Sequence, residues 1–319
     1  MKGLTDITGI KVGHASNFEA LTGVTVILCE GGAVAGGDIR GSATGTQEWD
    51  TLSPTHVTPA IHAVVFSGGS AFGLEAASGV RRFLSAKGVG FETRAARVPI
   101  VPSAILYDLG LGKTKVTPTR ELGEAAAAAA TDGPVNEGSV GAGTGATVGK
   151  VLGITHAMKG GIGSYSLQLD GAFSRVQVAA LVAVNAYGDV VDPASGKVVA
   201  GTRTRPDSKE FARSDKLVMS GNRRGFGGEN TTLVAVATNA KLTKVEATRV
   251  AQMAQQGLVR AVSPAQTTID GDVSIALSLG SESCPVNAVG TAAAEVVAQA
   301  ILRAVRLAKG LGGVPGLGG

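Results

Sequence analysis

Several polar residues stand where apolar runs begin or end, and Thr231 is the one with the most chemical potential. Gly227-Gly228-Glu229-Asn230 forms a glycine-rich polar loop, and Thr231-Thr232-Leu233-Val234-Ala235-Val236-Ala237 starts a β-type apolar run at once. A chain cut between Asn230 and Thr231 would end in a threonine with a free α-amino group. That residue would hold nucleophile and general base together. An α-amine has an ordinary pKa of about 7.7–8.0, so it accepts a proton near neutral pH. Without the cut, Thr231 is a β-branched residue opening a strand.

Other groups fit beside it. In Asp270-Gly271-Asp272 two carboxylates lie two residues apart before another apolar run. On an extended chain they point the same way and could orient an ammonium and a hydroxyl; read alone, the segment is also a solvated turn. Asn185 closes the run Leu181-Val182-Ala183-Val184-Asn185. Its amide could donate to an oxyanion or shape a turn. Lys159, followed by Gly160-Gly161-Ile162-Gly163, is either a surface cation or, if buried among glycines, a stabiliser of developing negative charge.

Rival motifs fail on their context. Gly141-Ala142-Gly143-Thr144-Gly145-Ala146 fits a dinucleotide fingerprint, but it follows a loop instead of a strand. Gly145 to Lys150 is one residue short of a phosphate-binding loop, and Val151 stands where Ser or Thr would hold magnesium. Gly68-Gly69-Ser70-Ala71-Phe72-Gly73 has Phe72 in place of the second glycine of a nucleophile elbow.

Composition excludes other classes. The chain has 319 residues, 44% hydrophobic and 17% charged, which supports a sizeable core. The net charge of +4 is scattered and aromatics are 4%, a poor basis for a nucleic-acid partner. Cys29 and Cys284 are too few for a disulfide framework and suit a reducing compartment. His14, His56, His62 and His156 lack zinc-ligand spacing. No metal and no cofactor are therefore expected. The N-terminus lacks a signal-peptide pattern, and no uninterrupted apolar stretch reaches about 20 residues. A cytoplasmic protein with no membrane partner is expected.

The elements that must position these groups alternate irregularly. Strands are predicted over Val24–Cys29, before a glycine-rich Gly31–Asp38 segment, and over Ala63–Phe66. A helix then runs to Lys87 and closes at Gly88. Further expectations are an alanine-rich helix over Glu121–Ala130 and a hairpin of Ser164–Leu169 with Val176–Asn185 around Asp170-Gly171. The 201–229 connection, with Arg203, Arg205, Arg213, Arg223 and Arg224, reads as exposed and mobile. Thr243-Lys244-Val245-Glu246 is a capping box opening a helix to about Val262. A strand over Asp272–Leu279 and a helix over Val289–Lys309 follow, and the Gly310–Gly319 tail reads as frayed. Hairpins beside long helices favour a layered α+β fold over a doubly wound parallel sheet.

Taken in order, these pieces resemble the L-aminopeptidase/D-esterase (DmpA-like) family, nearest its 6-aminohexanoate-oligomer (nylon) hydrolase branch. The resemblance begins at Gly9-Ile10-Lys11-Val12-Gly13-His14 and Gly36-Gly37-Asp38-Ile39-Arg40-Gly41. It continues through Ser67-Gly68-Gly69-Ser70, Gly141–Ala146, Lys159–Gly163, Asn230-Thr231-Thr232 and Asp270-Gly271-Asp272. It implies a four-layer αββα sandwich, similar to N-terminal-nucleophile hydrolases but with distinct connectivity. It also implies one domain over 1–319, cut at Asn230-Thr231 into an α part, 1–230, and a β part, 231–319. Carried over, Thr231 is the nucleophile, Asp270 and Asp272 its orienting pair, Asn185 the oxyanion donor and Lys159 an active-site lysine. His156 falls near a substrate-side position where aminopeptidase members carry Tyr. The implied activity is hydrolysis of a small peptide or amide substrate through an acyl-enzyme, by a homo-oligomer built as a tetramer of α/β heterodimers. An acyltransferase of the ornithine-acetyltransferase type shares the architecture and is the alternative.

Overall fold

The computed structural model describes residues 2–222 and 230–319. Gly227, Gly228 and Glu229 of the glycine-rich loop, and Arg223 and Arg224, lie outside the described residues.

Strand periodicity builds the layers. Along Gln177–Asn185, Val178, Ala180, Val182 and Val184 pack with the helices Lys244–Ala261 and Val286–Arg306, while Ala179, Leu181 and Ala183 point into a second core. Thr231–Ala240 repeats the pattern, with Val234 and Val236 on the helix side and Leu233, Ala235 and Ala237 inside. Such strands are apolar on both faces because both faces are covered.

The other sheet mirrors this. Val24, Val26, Leu28, Ala63 and Val65 pack with the helices Ala76–Ala86 and Arg120–Ala128. Ile27, Cys29, Val64 and Phe66 meet the inward residues of the first sheet. The order is helix, sheet, sheet, helix: the αββα sandwich.

One strand joins the two sheets. Thr22–Ile39 runs for 18 residues. Its Val24–Leu28 half pairs with the Ile61–Ser67 strand and its Val34–Ile39 half with Val273–Ser278, with a break in register between Leu28 and Ala33. The sequence reading ended this strand at Cys29; the strand in fact continues through the glycines. Helix packing explains Gly36, since a Cβ there would lie 2.1 Å from the Thr248 backbone nitrogen.

Other expectations meet the structure well or need correction. The capping box is formed, with the Thr243 side chain and Glu246 each accepting from the other's backbone N–H. The hairpin is Gly161–Gln168 paired antiparallel with Gln177–Asn185. The last helix covers Val286–Arg306; it is long and apolar enough to cross a membrane, but 72% of that stretch is buried in the core.

The tail is not frayed. Gly318 N–H donates to the Ala308 carbonyl, Lys159 N–H donates to Pro315, and Val314 is buried. Nor is the start of the arginine-rich connection exposed. Arg203 is buried, and its guanidinium donates to the carbonyls of Thr155, His156, Ala157 and Pro206. Asp189, buried, accepts from Thr202 N–H at 2.8 Å and Ser214 N–H at 2.7 Å, which ties this segment to the body.

Phe66 is among the largest side chains buried between the sheets. Phe66→Ala should destabilise the fold by about 3–5 kcal/mol, read as a lower urea midpoint. A loss below about 1 kcal/mol would contradict this packing.

Candidate active site

Strand register brings the candidate residues together. Thr231 lies directly opposite Asn185 on the antiparallel side. On the parallel side Leu233 faces Val273, and Asn230 bridges to Asp270. The Asp270-Gly271-Asp272 segment therefore enters its strand beside the Asn230-Thr231 peptide.

That peptide is polarised. The Asn230 carbonyl oxygen accepts from the Thr231 hydroxyl at 2.6 Å and from Gly271 N–H at 2.7 Å. Gly271 must be small, because a Cβ there would lie 2.7 Å from Thr231 Oγ1 and 2.8 Å from the Ala43 carbonyl oxygen. Thr231 and Asn230 are both buried.

The two carboxylates are held by different donors. Asp272 accepts from Thr232 N–H at 2.6 Å and Gln266 N–H at 2.9 Å. Gln266 occupies the left-handed region, at φ 56°, to present that N–H. Asp270 accepts from Thr267 N–H at 3.1 Å, the Thr267 hydroxyl, and Tyr187 N–H at 3.4 Å. Burial raises both pKa values. For Asp272, burial first and then the Asp270 charge push it up to about 7.

Asn185 is fully buried and its amide is fixed from both ends. Oδ1 accepts from Thr147 N–H at 3.0 Å and from Lys150 Nζ at 2.9 Å, and Nδ2 donates to the Tyr107 carbonyl at 2.9 Å.

Lys159 is also in the interior, buried beside glycines, the second of the two places its sequence context allows. Its Nζ donates to the carbonyls of Thr144 at 2.8 Å and Ala146 at 2.7 Å. The glycine-rich segment that mimics a nucleotide loop thus cradles an ammonium. Burial lowers the Lys159 pKa to about 7, opposed by the charge of Asp108. Asp108 accepts from Thr22 Oγ1 at 2.7 Å and Gly69 N–H at 2.7 Å, and burial raises it to about 6.

His156 stands apart from this arrangement. It ends the short Ile154–His156 turn, where its ring meets Thr155 Oγ1 at 3.2 Å and its carbonyl takes Arg203 N–H at 2.9 Å.

Sequence reasoning missed Lys150, Asp108, Gln266 and Thr267. Lys150 sits inside the rejected phosphate-loop motif, and Asp108 follows Tyr107 with no motif around it. Neither Gln266 nor Thr267 carries a signal, since each acts by a backbone or hydroxyl donor. Among the described residues, no group of three or more His, Cys, Asp and Glu is placed to hold a metal ion.

Residues 2–317 match peptidase family S58. The chain belongs to peptidase family S58. Its S58 relatives include an uncharacterised aminopeptidase of Mycobacterium leprae, 37% identical over 99% of this chain and 93% of the relative. A 6-aminohexanoate-oligomer endohydrolase of Kocuria sp. is 31% identical over 94% of this chain and 85% of its own length. Among solved structures, the L-aminopeptidase D-Ala-esterase/amidase of Ochrobactrum anthropi superposes with a TM-score of 0.74. It is 21% identical and is matched over 96% of this chain and 86% of its own, with a variant of the Ntn-hydrolase fold. Family membership makes this chain a hydrolase, and the ordered motifs pointed to the same place.

The buried charges give stability a definite pH dependence. Asp272 holds its proton up to about pH 7 when folded, against an ordinary 3.8. The folded chain binds more protons across that window, so this group lowers stability as pH rises through it. Lys159 runs the other way: it loses its proton near 7 when folded, against an ordinary 10.5. The unfolded chain then binds more protons, so this group raises stability from about pH 7 to 10. Lys159→Met should remove that rise, seen as a urea midpoint that gains less than the wild type between about pH 7 and 9.5. An identical gain in both proteins would contradict it.

Proposed function

We propose that this S58 member is a self-processing amide hydrolase whose nucleophile is Thr231. The observation that carries the reading is the Asn230 carbonyl, which accepts from both the Thr231 hydroxyl and Gly271 N–H while the paired carboxylates and Asn185 lie in register beside it.

The chemistry follows from those positions. Thr231 Oγ1 attacks the Asn230 carbonyl carbon, and Gly271 N–H stabilises the oxygen as it gains charge. The C–N bond breaks as the nitrogen takes the proton, which leaves an ester between Asn230 and Thr231 Oγ1. Water hydrolyses that ester and yields an α part, 1–230, and a β part, 231–319, with a free Thr231 amine.

In the cut enzyme this amine takes the hydroxyl proton as Thr231 attacks a substrate amide. Asn185 Nδ2 stabilises the oxyanion. Asp270 and Asp272 orient the Thr231 ammonium and hydroxyl; burial raises both pKa values and the Asp270 charge raises Asp272 further, so the two titrate as a pair. The leaving amine departs protonated, and water releases the acyl group. The relatives named for aminopeptidase and 6-aminohexanoate-oligomer hydrolysis support two substrate classes, aminoacyl amides and 6-aminohexanoate oligomers.

The test is turnover of a panel of aminoacyl p-nitroanilides and 6-aminohexanoate oligomers by wild type, Thr231→Ser and Thr231→Ala. Wild type and Thr231→Ser should release amine, and Thr231→Ala should lose at least about 10³-fold in kcat. Near-wild-type kcat in folded Thr231→Ala would overturn the reading. Acyl transfer to an added amine without net hydrolysis would favour an acyltransferase of the ornithine-acetyltransferase type instead.

A further inference from the structure

Arg203 carries a positive charge that carbonyl oxygens hold in place but do not neutralise. A guanidinium has five N–H groups. Nε donates to the His156 carbonyl, Nη2 to those of Thr155 and Ala157, and Nη1 to that of Pro206. One N–H on Nη1 is left over. Among the described residues, no carboxylate lies within ion-pairing distance of this group. Asp207, the nearest in sequence, pairs with Arg205 at 3.4 Å. Yet Arg203 is only 9% exposed. A charge so far from water, met by dipoles and no counter-ion, is only partly compensated.

The same arginine lines a groove of about 510 Å³, whose other walls are Pro206 and residues 310–315 of the tail. Leu311 and Val314 exchange backbone hydrogen bonds, both 3.1 Å long, across a two-glycine turn. Gly312 and Gly313 make that turn in the left-handed region, at φ 63° and 77°. Their N–H groups meet no acceptor among the described residues. Pro206, Leu311 and Pro315 give the groove apolar surface. One cation and spare N–H groups thus stand beside an apolar wall. That combination suits a ligand with an anionic head and a short apolar chain. A carboxylate fits the head best: one oxygen takes the spare Nη1 proton in a charge-assisted bond. A phosphate would bring more acceptor oxygens than the single charged donor can serve.

We propose that the Arg203 groove binds the carboxylate end of a short aliphatic chain, with the head on Nη1 and the carbons along Pro206, Leu311 and Pro315. The site is separate from the Thr231 chemistry and does not depend on it. The two are joined through the backbone, since Lys159 N–H donates to the Pro315 carbonyl at 2.8 Å. Hydrolysis of an amide leaves a carboxylic acid, so ligands of this class arise from the reaction itself.

The experiment is calorimetric titration of the full chain at low salt with hexanoate, hexanamide and inorganic phosphate. Arg203 itself is left in place, because it holds four carbonyls. Pro206→Glu instead sets a carboxylate on the exposed wall, and Pro206→Ser is its neutral control. Gly310→Asp does the same from the tail side. A Cβ on Gly310 would have its nearest neighbour, the Gly316 nitrogen, at 3.4 Å, an ordinary contact.

Hexanoate should bind wild type with a Kd on the order of 1 mM. Hexanamide and phosphate should each bind at least about tenfold more weakly. Pro206→Glu and Gly310→Asp should each weaken hexanoate about tenfold or more through like-charge repulsion, and Pro206→Ser should stay within about threefold. Absence of hexanoate binding to folded wild type would overturn the proposal. So would an unchanged hexanoate Kd in both acidic variants, or hexanamide or phosphate binding as tightly as hexanoate. If one acidic variant does not fold, the other decides.

Discussion

The site depends on backbone pairing register. Thr231–Ala240 runs between an antiparallel neighbour, Gln177–Asn185, and a parallel one, Val273–Glu282. This fixes three things at once: Thr231 opposite Asn185, Asn230 bridged to Asp270, and the Gly271 N–H on the Asn230 carbonyl. A slip of one residue would reverse every side chain on the strand. It would turn Val234 and Val236 from the helices toward the other sheet, and carry Leu233, Ala235 and Ala237 out of it. The apolar core on both faces thus holds a polar site in alignment at the strand ends.

Burial supplies the second constraint. Asp108, Lys150, Lys159, Asp270 and Asp272 are all buried where the strands and glycine-rich loops converge. Water cannot solvate these charges, so backbone donors and acceptors take its place. Asp272 uses the N–H groups of Thr232 and Gln266, and Lys159 uses the carbonyls of Thr144 and Ala146. Desolvation brings carboxylates up and an ammonium down toward neutrality, the range in which protons move easily at physiological pH. The glycines serve this arrangement because they let backbone approach where a side chain would intrude.

Local signals carried much of the fold. The Thr243–Glu246 capping box, the hairpin around Asp170-Gly171 and the polar-to-apolar step at Thr231 are each written within a few residues. Features that depend on contacts between distant segments were not legible. The glycines of Gly31–Gly37 read as a loop but lie in a strand, where Gly36 lets the Lys244–Ala261 helix pass. The tail read as frayed because its anchors, Ala308 and Lys159, become its neighbours only in the fold. Lys150 could not be assigned from its own stretch, since its partner Asn185 is 35 residues away. The ordered motifs placed Thr231, Asp270, Asp272 and Asn185 together; spacing alone gave no hint of which donors would hold them.

The central claim is that the fold itself prepares the Asn230–Thr231 bond for cleavage. Intact mass and N-terminal sequencing of freshly folded, protease-free wild-type protein over a time course near neutral pH test it most directly. The account predicts loss of the full-length mass and growth of two fragments, one ending at Asn230 and one beginning at Thr231, at a rate independent of protein concentration. A folded chain that keeps its full-length mass after prolonged incubation, or one that is cut at another bond, would contradict it.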